Sequence, residues 1–307
     1  MTEPMNASHA LLMPAPPRFV RGLGDIAAQY DVILCDVWGV VHNGTVYYRA
    51  ATDALARYRA QGGTVILITN APRPHQRVTA FLDGLGVPRA AYDGVVTAGD
   101  VTVSLILERG DLPLAHMGPA QDVSLFAEAE ALAGRPLRFL PFEEAAYVVC
   151  IGLNDAEHET PADYQPRLAA MLAHDVEFIC ANPDIVVEMG DKLVYCAGAL
   201  AESYAAMGGR VIQAGKPYPQ IYERGLALAA HLRGAETVRS RVLAIGDSAQ
   251  TDIKGAQDQG LATLFVTSGI HRAELHREGA ALDAAAFRQF LEGTGIAPMA
   301  AIAELVW

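Results

Sequence analysis

Five residues of this chain are of the right type, and stand in the right places, to do chemistry together. Asp36 falls near the end of the apolar run DVILCDV (31–37), and Thr69 closes the run TVILIT (64–69). Asp247 follows the apolar run Val242–Ile245, and Asp252 comes five residues later. Lys216 stands in Gly215-Lys216-Pro217 and is one of three lysines, with Lys192 and Lys254, against twenty arginines (23 − 3). Grouped carboxylates suit a hard cation such as Mg²⁺, which prefers oxygen ligands. An aspartate can also attack phosphorus to give an aspartyl-phosphate that water then hydrolyses. The remaining demands of phosphoryl transfer are positioning and charge neutralisation, which a lysine, a hydroxyl and backbone N–H groups can meet. Each residue has a plain structural alternative when taken alone. A strand-end aspartate can be architectural, Thr69-Asn70 is ordinary turn chemistry, and Gly-Lys-Pro and Gly-Asp-Ser are short. Their order, and their common placement at strand ends, favour one site.

The elements that would position them read as an alternating α/β pattern. The runs at 31–37 and 64–69 are short and continuously apolar, as strands buried on both faces of a parallel sheet are. Between them lies a helical segment over about 50–61, stopped by Gly62-Gly63. Ligands of such sheets bind beyond the carboxyl ends of the strands. The rhythm resumes at Val211-Ile212-Gln213, which is read as opening the returning core, at 242–245, and at ATLFVT (262–267). Between the halves, AYVVCI (146–151) and 176–180 read as strands, with a helix over about 161–174. The spacing therefore predicts a discontinuous core, 1–100 and 210–307, interrupted by an inserted α/β domain at 101–209. Residues 1–17 carry Pro14, Pro16 and Pro17 and no basic segment, which predicts a loose tail and not a signal peptide.

The segments Asp36-Val-Trp-Gly-Val, Thr69-Asn-Ala-Pro72, Gly215-Lys-Pro-Tyr-Pro219 and Gly246-Asp-Ser248 with Thr251-Asp-Ile-Lys-Gly-Ala256 resemble the haloacid dehalogenase-like (HAD) hydrolases. With Ala181-Asn-Pro-Asp184 and Gly198-Ala-Leu200, the likeness is closest to class IIA, whose large α/β cap lies between the second and third segments. It covers nearly the whole chain from about Phe19. It implies a Rossmann-like core with a cap, and a Mg²⁺-dependent phosphohydrolase of small phosphorylated metabolites. By that resemblance Asp36 is nucleophile and metal ligand, with Asp247 and the Trp38 backbone carbonyl as further ligands. Asp252 holds the Asp247 loop, Thr69, Asn70 and Lys216 receive the phosphoryl group, and Lys216 steadies Asp36. Asn182, Asp184 and the stretch 188–195 would face the leaving group, and caps of this kind often contribute to homodimers.

One position departs from the pattern. Similar phosphatases carry a second aspartate where this chain has Trp38, and that aspartate protonates the leaving alcohol. General acid–base help of this kind is worth about 10²–10⁴-fold, and an indole N–H cannot give it. Three readings stay open: esters with good leaving groups or bonds that need no acid, a substitute such as His42, or a weakly catalytic protein that senses a phosphorylated ligand. A formal charge of −12 argues against a nucleic-acid partner. No apolar stretch reaches the roughly 18 residues a membrane span needs. Four cysteines without C-x-x-C spacing (Cys35, Cys150, Cys180, Cys196) predict free thiols in a cytoplasmic protein. Gly246-Asp247-Ser248 lacks the downstream Asp-x-x-His that a serine esterase would need.

Overall fold

The computed structural model describes residues 17–189, 192–276 and 282–307. Residues 1–16, for which a loose tail is expected, lie outside them. Two parallel sheets organise the chain. The larger has seven strands in the spatial order Arg18–Phe19, Ala300–Ile302, Ala262–Val266, Val242–Gly246, Val32–Asp36, Thr64–Thr69, Gly94–Thr97. Every pairing in it is parallel. Its central strands are buried along their whole length, as the unbroken apolar runs require.

Helices cover both faces. Helix Arg49–Ala60 buries Ala51, Ala54, Leu55 and Tyr58, one stripe at helical spacing, against strand residues Ile33, Cys35, Val65 and Leu67. On the other face, helix Pro219–Arg233 starts with proline in its first turn, ends at left-handed Gly234, and buries Ile221, Tyr222 and Ala229 with Leu34, Ile66 and Ile68. Gly225 lets that helix come close: a Cβ there would stand 3.3 Å from Leu34 and 3.4 Å from Ile68.

The second sheet has four parallel strands in the order Val211–Gln213, Glu177–Cys180, Tyr147–Cys150, Leu114–Met117, with a separate antiparallel hairpin at Val186–Met189 and Lys192–Tyr195. Strand Val211–Gln213 thus belongs to the smaller sheet and not to the returning core. It pairs in parallel with Phe178–Cys180, which satisfies a backbone that the core sheet does not reach. Helix Ala98–Glu108 leads from the larger sheet to the smaller one. It begins at a reciprocal cap between Thr97 and Asp100, and sets Val101 into the core of the first sheet and Ile106 into that of the second. No helix among the described residues is long and apolar enough to cross a membrane. All four cysteines are free and buried.

Candidate active site

Three neighbouring strands, Val242–Gly246, Val32–Asp36 and Thr64–Thr69, end at the same edge of the larger sheet and deliver Asp247, Asp36 and Thr69 to one place. Lys216 arrives from the other direction, between strand Val211–Gln213 and helix Pro219–Arg233. Its Nζ donates to Asp36 Oδ1 at 2.5 Å and to Asp252 Oδ1 at 2.6 Å. Asp252 spends its other oxygen on the backbone, accepting from Asp247 N at 3.1 Å and Ser248 N at 3.0 Å. Asp247 Oδ2 in turn accepts from Ile270 N at 2.8 Å. Two glycines make this approach possible. A Cβ on Gly39, whose φ is +82°, would stand 2.0 Å from Asp247 Oδ2, and one on Gly269 would stand 1.9 Å from it.

Asp36, Asp247, Asp252 and Lys216 are all at least 94% buried. Burial pushes the Asp36 carboxyl up to about 7, Asp252 adds to the rise, and Lys216 opposes it. Asp247 is driven well above the carboxylate range by burial and then by Asp36 and Asp252. Burial alone would lower the Lys216 ammonium, yet Asp252 and Asp36 outweigh it and hold that pKa well above the usual value. Oxygens of Asp36, Asp247 and Asp252 lie within 4.8 Å of one another. Three carboxyl groups face one ammonium, so the site is short of positive charge when they ionise. That donor set fits a hard divalent cation.

Asn70 ties these parts together. Its Oδ1 accepts from Lys216 N at 2.7 Å, and its Nδ2 donates to Lys216 O at 3.1 Å and Asp184 Oδ1 at 2.8 Å. The Asn70 side chain is therefore spent on positioning Lys216 and clasping the insertion, which leaves its backbone N–H for any bound anion. Asp184 is raised by burial against the opposing pull of Lys216 and the Asn70 hydrogen bond. It lines a cavity of about 730 Å³ whose wall also includes Asp36, Trp38, Thr69, Lys216 and Asp247.

Two expected contributors sit elsewhere. Asn182 does not line this cavity; its Oδ1 accepts from Asp184 N at 3.1 Å in a local turn that aims Asp184. His42 is also outside its wall, buried between the Trp38 and Phe81 rings. Its Nδ1 accepts from Gly44 N at 2.9 Å, and burial lowers its pKa to about 4, so at neutral pH it is no replacement acid. From the hairpin, Val186 and Val187 reach the cavity. Residues 190 and 191 of the stretch 188–195 lie outside the described residues. The loop Ser268–Ile270, which seats Asp247, went unnoticed in the sequence, although a glycine just past an apolar strand was its available signal.

Two family models match the chain, one described as haloacid dehalogenase-like hydrolase over residues 33–131 and one as HAD-hydrolase-like over 213–291. A crystal structure of a haloacid dehalogenase-like hydrolase from Brucella suis 1330 is 44% identical, with 94% of this chain and 100% of that one covered and a TM-score of 0.81. A D-glycerol 3-phosphate phosphatase of Mycobacterium tuberculosis is 28% identical across 81% of this chain and 66% of its own length. A crystal structure of glycerol phosphate phosphatase from that organism in complex with calcium is 26% identical, covering 80% of this chain and 68% of that one, with a TM-score of 0.59. The strand-end carboxylates, the insertion between the second and third segments, and the match over the whole Brucella structure lead to one statement: the chain belongs to the haloacid dehalogenase-like hydrolase family, in its class IIA, capped form.

Proposed function

We propose that this chain is a Mg²⁺-dependent phosphohydrolase of small phosphorylated metabolites that works through a phosphoenzyme on Asp36. The observation that carries the reading is the buried group Asp36–Lys216–Asp252–Asp247 opening onto a cavity of about 730 Å³. The glycerol phosphate phosphatase of Mycobacterium tuberculosis supports the substrate class, and its structure with calcium supports a divalent ion. Asp36, Asp247 and the Trp38 carbonyl would hold Mg²⁺, which supplies neutralising charge to the phosphoryl oxygens.

The protein's own groups then divide the work. An Asp36 oxygen attacks phosphorus, the P–O bond to the leaving group breaks, and the departing oxygen carries the electron pair away. Lys216 holds Asp36 in line and offsets the charge of the phosphoryl group, while the Thr69 hydroxyl and the backbone N–H groups after it receive phosphoryl oxygens. Water then attacks the aspartyl-phosphate and restores the carboxylate. With Trp38 beside Asp36 and His42 neutral, no side chain at that position gives the leaving oxygen a proton. The departing group must be stable as an anion or take its proton from water, so aryl and acyl phosphates should react faster than alkyl esters. The test is phosphate release from acetyl, p-nitrophenyl and alkyl phosphates with and without Mg²⁺. Release that needs Mg²⁺ and vanishes in Asp36→Asn is expected. Ligand-induced thermal stabilisation with no turnover of any ester would instead make the chain a sensor.

A further inference from the structure

Part of the cavity wall is polar yet takes no part in the phosphoryl chemistry. Lys216 sits in a tight turn, where Tyr218 N donates to Gly215 O at 2.8 Å. Two wall residues flank it, Gln213 three positions before and Tyr218 two after. The reach of the chain keeps their Cα atoms within about 11 Å and about 7 Å of that of Lys216. Gln213 Oε1 is buried and has no hydrogen-bond partner among the described residues. An acceptor left unmatched costs free energy unless a donor arrives. Burial pushes the Tyr218 hydroxyl up, and smaller influences on it are a hydrogen bond with Gln213 and the charge of Glu202. These three side chains therefore stand together, and Glu202, on helix Ala197–Ala206, also lines the wall.

The charges of the wall say which donor fits. Six carboxyl groups and two lysines line the cavity. Lys254 is taken by Asp258 at 2.5 Å, and Lys216 serves Asp36 and Asp252. A divalent ion would answer Asp36 and Asp247, and Asp184 is held by Asn70. Glu202 is left with no ion-pair partner among the described residues. Other parts of the wall are apolar, from Trp38, Tyr48, Ile185, Val186 and Val187, and Tyr48 and Ile185 are each 37% exposed. The geometry points to Gln213, Tyr218 and Glu202 as a specificity site for a cationic nitrogen on the leaving group of the substrate. Gln213 Oε1 accepts its N–H, Glu202 supplies the opposite charge, and Tyr218 offers aromatic surface to the cation. The inference rests on the phosphohydrolase reading above and narrows it to phosphate esters of hydroxylated aromatic amines. Their aryl oxygen leaves as a stable anion, which agrees with the missing acid at Trp38.

The test gives the full chain, with Mg²⁺, three aryl esters: 4-(2-aminoethyl)phenyl, 4-ethylphenyl and 4-(2-carboxyethyl)phenyl phosphate. Two methylenes insulate the ring from the charge, so the leaving oxygens are nearly alike and the esters differ in the charge they present to the wall. The site predicts kcat/KM falling in the order cationic, neutral, anionic, with the cationic ester about tenfold above the neutral one, the size of one charge-assisted contact. Glu202→Gln should cut that ratio about tenfold, and Gln213→Leu should lower it as well. Damage to the fold alone would slow all three esters equally and leave the ratio unchanged. Equal use of the cationic and neutral esters by the wild type, or a ratio untouched by both variants, would overturn the proposal. If no ester is hydrolysed, the phosphohydrolase reading fails while the site stays measurable by calorimetric titration of the wild type. The cationic ester should then bind about tenfold tighter than the neutral one. Indistinguishable binding of the two would overturn the site on its own.

Discussion

Replacing Lys216 by methionine isolates the electrostatics of the site. The methionine keeps most of the aliphatic stem, and Asn70 still grips the backbone of residue 216, so packing changes little. What disappears is an ammonium 2.5 Å from Asp36 and 2.6 Å from Asp252, in a side chain only 3% exposed. Removing one partner of a buried ion pair typically costs about 3–5 kcal/mol, because the other charge stays behind. Here two carboxylates stay behind, with Asp247 beside them. Asp36 can relieve part of the cost by binding a proton, which makes the loss depend on pH. Asp36 in the folded wild type is raised to about 7, above its unfolded value, so the folded chain binds the extra proton and stability falls as pH rises toward 7. Without Lys216 the folded value climbs further, and the fall continues past 7. In metal-free buffer, urea denaturation should therefore show Lys216→Met destabilised by about 3–5 kcal/mol near pH 8.5, and by clearly less near pH 6. A loss below about 1 kcal/mol, or one of equal size at both pH values with an unchanged denaturant slope, would refute the reasoning.

Three further outcomes follow from single contacts. Gly269→Ala puts a methyl group 1.9 Å from Asp247 Oδ2, so Asp247 must move. Its melting temperature in EDTA should fall, and the further rise produced by Mg²⁺ should disappear; an undiminished rise would take Asp247 out of the metal site. Asn70→Ala strands Lys216 N–H, Lys216 C=O and the Asp184 carboxylate, so a loss of about 2–4 kcal/mol is expected by urea denaturation, and under about 1 kcal/mol would mean the clasp is idle. Trp38→Asp should raise hydrolysis of alkyl phosphates by at least about tenfold more than that of aryl phosphates. An equal change on both classes would remove the account of that position.

The core was legible where burial is continuous. Thr64–Thr69 could be bounded in the sequence because a strand covered on both faces leaves no polar alternation inside it, and the charged or turn-forming residue at its end marks the edge of the sheet. The same logic placed Asp36 and Asp247 at one edge. Short strands gave no such signal. Val211–Gln213 is only partly buried, and its sheet is chosen by hydrogen bonding to Phe178–Cys180, which no local pattern encodes. Ala300–Ile302 in the larger sheet is equally short, and Arg18–Phe19 at its edge is shorter still. The roles of Asn70 and His42 were hidden for a different reason. Asn70 meets an aspartate 114 residues away, and the neutrality of His42 follows from burial between two aromatic rings, so both depend on the assembled fold.

The most direct test of the central claim is to look for the phosphoryl group on the protein. Wild-type chain mixed with p-nitrophenyl phosphate and Mg²⁺, quenched in acid within the first turnover and digested, should yield a phosphorylated peptide containing Asp36. That modification should be removed by hydroxylamine, as an acyl phosphate is, and be absent from Asp36→Asn. Turnover without any phosphopeptide, or a phosphoryl group mapped to another residue, would contradict the account.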